Sequence, residues 1–201
     1  MTSPEFHYIP LTSRRNRPYL RDPERYQIRE PRAIVLHWDG NTGKGSDALA
    51  NRNYFDRTDR YASAQFLTDH LRIVQSMPIR EVAYHCGGTR YKHIGEQLRE
   101  GYSSPNYTTW GIEMCTHESQ EWEATYANTV EVAANLIVQS EGLLFVDDIT
   151  THHRITGKIC PKWRNDDGQL RLITDDQLHA FRQAVELRFW ELTTADLLPI
   201  V

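Results

Sequence analysis

The strongest constraint on the fold lies at residues 33–41, AIVLHWDGN. A short unbroken apolar run followed by turn-forming residues reads as a buried strand, and His37 falls near its C-terminal end. That is where open α/β sheets gather their functional side chains. A polar ring at such a place is most often a satisfied core or rim residue. Otherwise it belongs to a site that draws partners from elsewhere in the chain.

Such partners are offered by residues 151–164, THHRITGKICPKWR. His152 and Cys160 supply an imidazole and a thiolate, a donor pair suited to zinc, and Lys158 stands two residues before the cysteine. A catalytic zinc takes three protein ligands and keeps its fourth position open. His37, His152 and Cys160 form such a set. Each has a duller explanation alone, since a lone cysteine is most often a small buried hydrophobe and most lysines are solvated. The three together, with a lysine between two of them, favour the Zn2+ reading.

In chain order, IVLHWDGNTGKGSDALANRNYF (34–55), ASAQFLTD (62–69), IVQSMPIREVAYHCGG (73–88), WGIEMC (110–115) and HHRITGKICP (152–161) resemble zinc-dependent N-acetylmuramoyl-L-alanine amidases of the second type. The likeness is to the amidase domains of phage and prophage endolysins, related to the peptidoglycan recognition proteins. It spans about residues 32–195. It implies hydrolysis of the amide between N-acetylmuramic acid and the L-alanine of the stem peptide, with His37, His152 and Cys160 as metal ligands. The spacing of His152 to Cys160, rather than that of His153, is the one that matches the family.

The resemblance gives Glu113 the proton-carrying role. The residue also stands out unaided, because a carboxylate in an apolar run is a liability unless it faces outward or has a partner. Lys158 is expected to stabilise the developing oxyanion. His85 and Asn106 are expected as substrate contacts, with His85 at the rim of the cleft, although His85 also rivals the chosen ligands. Some relatives carry a tyrosine where this chain has Ala64, followed by His or Asn where it has Gln65, so the proton work would rest on Glu113. The competing readings are a peptidoglycan-binding module without catalysis, which retention of Cys160 disfavours, and a structural zinc site completed by His85 or Cys86.

Composition narrows the frame. At 201 residues and 39% hydrophobic content, one core is expected rather than two. A net charge of -4 lacks the basic excess of a nucleic-acid binder. No apolar run is long enough to span a membrane, and the N-terminus lacks the apolar centre of a secretory signal. Synthesis in the cytoplasm, action on the bacterial cell wall and a monomeric state are expected, with peptidoglycan as the partner. Cys86, Cys115 and Cys160 are too few for a disulfide framework; a Cys86–Cys115 bridge is possible, and free thiols are favoured.

Taken in order, residues 1–31 carry five prolines and little apolar periodicity, and read as an extended arm laid over a domain at 32–201 or partly disordered. DGNTGKGSD (39–47) is a loop without P-loop spacing. Ser46 suits an N-cap for a helix to about Arg57. Residues 62–68 and 72–77 form a hairpin with His70 near its turn, and 89–108 read as a long polar loop. Trp122, Tyr126, Val130, Ala133 and Ile137 mark a core-facing helix over about 121–140, ended by Gly142. A short strand and turn at 143–150 leads into the metal segment. Thr174 and Gln177 open a last helix that buries Leu178, Phe181, Val185 and Phe189. The expected fold is α/β, a single domain with a central mixed β-sheet flanked by helices.

Overall fold

The computed structural model describes residues 4–117, 121–165 and 167–201. Its regular elements follow in the order β1 (Glu5–Tyr8), β2 (Ala33–Trp38), α1 (Ala48–Arg57), β3 (Phe66–Thr68), β4 (Arg72–Gln75), α2 (His93–Leu98), β5 (Thr109–Met114), α3 (Trp122–Gln139), β6 (Ile149–Thr151), α4 (His152–Thr156), β7 (Lys162–Arg164), β8 (Leu170–Leu172) and α5 (Asp175–Glu191). Six strands make one sheet, ordered β1-β4-β3-β5-β2-β6, and β7 and β8 form a separate hairpin. Within the large sheet only β3 and β4 pair antiparallel, so the sheet is mixed as expected.

The apolar run at 33–38 becomes β2, paired on one side with β5 and on the other with β6. Five of its six residues are buried, because parallel neighbours are joined by crossovers that cover the sheet faces. One cover is α3, which buries Val130, Ala133 and Ile137, while Trp122 and Tyr126 pack half-buried at its first turns. The other long helix, α5, packs on the same core through Leu178, Phe181 and Val185. Burial of each such side chain contributes about 1.5–3 kcal/mol. Thr174 and Gln177 cap α5 reciprocally, at 3.0 and 3.2 Å.

The structure departs from expectation in several places. Residues 4–31 lie on the domain, as one of the two expected alternatives has it, and are more closely built in than an extended arm: β1 is an edge strand of the main sheet, and Leu11 and Asn16 are fully buried. Pairing with β4 supplies the stability that the segment's own pattern lacks. The polar stretch 89–108 contains α2, whose Gly95 sits so close to α4 that a Cβ there would lie 2.6 Å from the Ile155 carbonyl oxygen. Asp47, not Ser46, caps α1, its carboxylate accepting from the Ala50 N–H. The Ser46 hydroxyl donates instead to Asp39. All three cysteines are free and buried.

Candidate metal centre

The site is built at the C-terminal ends of parallel strands. In the register of β2 and β5, His37 lies opposite Glu113, so both side chains project from one face of the sheet. Gly111, two residues before Glu113, shares that face. A Cβ on Gly111 would meet the His85 ring at 2.7 Å. The missing side chain is therefore the seat of the His85 ring, which the glycine pair beside His85 does not reveal.

On the other flank of β2, β6 ends at Thr151, whose hydroxyl accepts from the Arg154 N–H and starts the one-turn helix α4. His152 is thereby fixed at the strand end, and Gly157 stops the turn in the left-handed conformation at φ 86°. The chain then folds back. The His153 N–H donates to the Cys160 carbonyl at 2.8 Å, and the Cys160 N–H donates to the Lys158 carbonyl at 2.8 Å. Of the adjacent histidines, His152 is buried, whereas His153 is half-buried with Nδ1 3.0 Å from the Lys158 carbonyl.

His37, His152 and Cys160 each present a donor atom within 4.8 Å of the others, and all three are buried. Cys160 Sγ lies 3.7 Å from His37 Nδ1. The outward nitrogens are engaged: His37 Nε2 lies 2.9 Å from His85 Nδ1, and His152 Nε2 lies 3.3 Å from the Gly87 carbonyl. A carbonyl can only accept. His85 Nε2, 3.3 Å from the Thr109 carbonyl, therefore carries a hydrogen and leaves Nδ1 to accept from His37 Nε2. This chain assigns the free lone pair of His37 to Nδ1, facing Cys160. His152 Nδ1 is likewise buried without a hydrogen-bond partner. Ligating histidines commonly secure the ring nitrogen opposite the metal in this way.

A second set, His37, His85 and Cys86, also lies within 4.8 Å. To bind there an ion would have to break the His37–His85 hydrogen bond. Cys86, moreover, is absent from the lining of the cavity of about 160 Å3 that His37, Glu113, His152, Lys158 and Cys160 share. The first set is the one open to a substrate.

Burial dominates the titration of the cluster. It holds His37 well below the ordinary imidazole range and His152 down to about 4. It also pushes the Cys160 thiol up to about 12, with the nearby Glu113 charge adding to the rise. Neutral imidazoles are ready ligands, and a thiol so held gives up its proton only to a strong cation. Glu113 is pushed up to about 8, by burial and then by Asp39, while the Lys158 charge opposes the rise. Its Oε2 is buried and unpartnered.

Both expected substrate contacts are buried. His85 lies beneath His37 at 6% exposure and is part of the cavity lining. Asn106 is buried and its Oδ1 accepts from the His85 and Cys86 backbone N–H groups, at 3.3 and 2.7 Å, so it shapes the loop that carries His85. Sequence reasoning missed Tyr61 and Tyr84, which also line the cavity. Neither sits in a pattern that distinguishes it from the other tyrosines.

Fold and cluster together define an α/β domain with an open candidate metal site at its strand ends. The sequence pattern of the family described as N-acetylmuramoyl-L-alanine amidase matches residues 27–163, and the chain belongs to that family. It is 34% identical over 163 residues to a probable N-acetylmuramoyl-L-alanine amidase of Bacillus licheniformis, covering 77% of this chain and 41% of that protein. It is 30% identical over 161 residues to the N-acetylmuramoyl-L-alanine amidase BlyA of Bacillus subtilis (strain 168), with the same coverages of 77% and 41%. The chain thus spans about two fifths of the length of these relatives. The catalytic domain of XlyA shares the fold at a TM-score of 0.66 and 22% identity, over 90% of this chain and 99% of that one. No helix among the described residues is long and apolar enough to cross a membrane.

Proposed function

We propose that this domain hydrolyses the amide joining the lactyl group of N-acetylmuramic acid to the first L-alanine of the peptidoglycan stem peptide, and so acts on the bacterial cell wall. The observation that carries the reading is the meeting, in one cavity, of the His37–His152–Cys160 triad with the unpartnered carboxylate oxygen of Glu113. His37 Nδ1, His152 Nδ1 and Cys160 Sγ would hold zinc, which when bound supplies Lewis-acid polarisation and water activation.

Glu113 takes a proton from the attacking water and passes it to the leaving amine of L-alanine. A carboxyl held near 8 by its surroundings is poised for both transfers. Lys158 faces the growing negative charge on the former carbonyl oxygen. Its backbone is fixed in advance by the contacts of its carbonyl with His153 and Cys160. His85 keeps His37 in the tautomer that points Nδ1 at Cys160.

The test is digestion of purified peptidoglycan with scoring of newly exposed N-terminal L-alanine. Zinc-dependent release supports the reading. Wall that stays intact, or that releases only reducing sugar ends, contradicts it.

A further inference from the structure

The segment that precedes the family match at residue 27 does more than add an edge strand. Residues 12–32 hold seven arginines and three carboxylates, in a chain whose net charge is -4. The first part is pinned to the domain. The buried Asn16 amide donates to the Phe55 and Thr58 carbonyls, the Asp56 carboxylate accepts from the Thr12 and Ser13 N–H groups, and Arg17 forms a two-point pair with Glu81 at 2.6 and 2.7 Å.

So anchored, the segment completes a row of rings that begins in the metal cavity. Tyr61 and Tyr84 line that cavity and meet edge to face at 5.7 Å. Tyr84 meets Tyr26 at 6.4 Å, Tyr26 stacks with Tyr107 at 6.1 Å, and Tyr107 stacks with Tyr102 at 5.7 Å. Arg15 lies over Tyr61 at 5.5 Å, and Arg21 and Arg25 both lie over Tyr26, at 5.6 and 5.4 Å. All three arginines are exposed. Among the described residues none of them makes an ion pair, whereas Arg17 is already taken by Glu81.

Arg15 spends one donor on the Asp59 carbonyl and Arg21 one on the Tyr84 hydroxyl, each at 2.8 Å; the remaining edge donors of a ring-stacked guanidinium stay in a fixed orientation, which suits binding of a carboxylate. The same stacking covers ring faces that a sugar would need. We propose that this track is a subsite for a carboxylate-bearing peptide, the acidic stem of the wall substrate, held by Arg15, Arg21 and Arg25 beside the metal cavity. The identity of that peptide rests on the amidase reading; the preference for carboxylates does not.

The test is titration calorimetry on the full chain carrying Glu113→Gln, with a synthetic N-acetylmuramoyl tetrapeptide in free-acid and fully amidated forms, and with a peptide-free N-acetylglucosamine oligomer. The free acid is expected to bind about tenfold tighter than the amidated form at low salt, with the gap shrinking as salt rises. Adding Arg15→Gln, Arg21→Gln and Arg25→Gln together should bring the free acid's affinity down to that of the amidated form, with the melting temperature checking that the chain stays folded. Equal binding of the two peptides would overturn the proposal, as would tighter binding of the sugar oligomer that the arginine changes leave alone. The comparison of the two peptides needs no arginine variant, so misfolding cannot mask the result. Should the wild-type chain release no L-alanine from wall, the amidase reading fails while the charge preference is still read by the same titration.

Discussion

His37 and Glu113 sit side by side on neighbouring parallel strands, one residue contributing a candidate ligand and the other a candidate proton carrier from the same face of the sheet. Their relation is set by backbone register, which is harder to disturb than a loop. A one-residue slip of β5 against β2 would turn Glu113 to the opposite face. The sheet therefore fixes which carboxylate reaches the cavity.

Glu113→Gln keeps the shape of the side chain and removes its capacity to carry a proton. Wall digestion is expected to fall by about 10²–10⁴-fold, with zinc content and melting temperature retained. Equilibrium dialysis alongside the activity assay checks both; an undiminished rate would remove Glu113 from the mechanism.

Gly111→Ala places a methyl carbon where the His85 ring lies, since a Cβ there would approach ring atoms to 2.7 Å. The expected cost is about 1–3 kcal/mol of stability, together with about 10–100-fold weaker zinc binding as His85 loses its hold on His37. Denaturant titration and competition with a chelator measure the two effects separately.

In the metal-free protein, His152 has its pKa lowered from 6.5 to about 4 and His85 to about 3, and His37 is lowered as well. The unfolded chain binds these protons first. Stability from the three rings is thus complete above about pH 6.5 and is lost as pH falls through the folded values. Glu113, raised from 4.5 to about 8, has the opposite sign, since the folded form keeps its proton longer and gains as pH falls across that interval. Three rings outweigh one carboxyl, so the metal-free melting temperature should drop on acidification from 6.5 toward 4. His85→Asn should make that slope shallower.

Leu11→Ala tests whether the N-terminal segment belongs to the domain. Leu11 is fully buried among Leu67, Val74 and Met77, and its truncation is expected to cost about 2–5 kcal/mol in a single cooperative unfolding transition. A loss below 0.5 kcal/mol, typical of surface positions, would restore the picture of a loosely laid arm.

The parts of this fold that were legible in the sequence are those whose signal is local. The run that became β2, the spaced apolar positions of α3 and the reciprocal cap at Thr174 and Gln177 each declare themselves within one element. β1 does not, because EFHY has no fully buried residue and gains its place only by pairing with β4. α2 is short and contains Gly95, a poor helix former tolerated there for close packing on α4. The place of His85 was unreadable for the same reason: its seat is an absent side chain on another strand. Ligand chemistry narrowed the His37, His152 and Cys160 cluster to a few residue types, while the choice of His152 over His153, and of His37 over His85, came from the family resemblance.

The most direct test of the metal centre is zinc K-edge X-ray absorption on the zinc-loaded chain and its cysteine variants. One sulfur at about 2.3 Å with two imidazole nitrogens at about 2.0–2.1 Å is predicted. The sulfur shell should vanish in Cys160→Ser and persist in Cys86→Ser. Survival of the sulfur in Cys160→Ser, with its loss in Cys86→Ser, would move the ion to the His85 side of His37 and contradict the account.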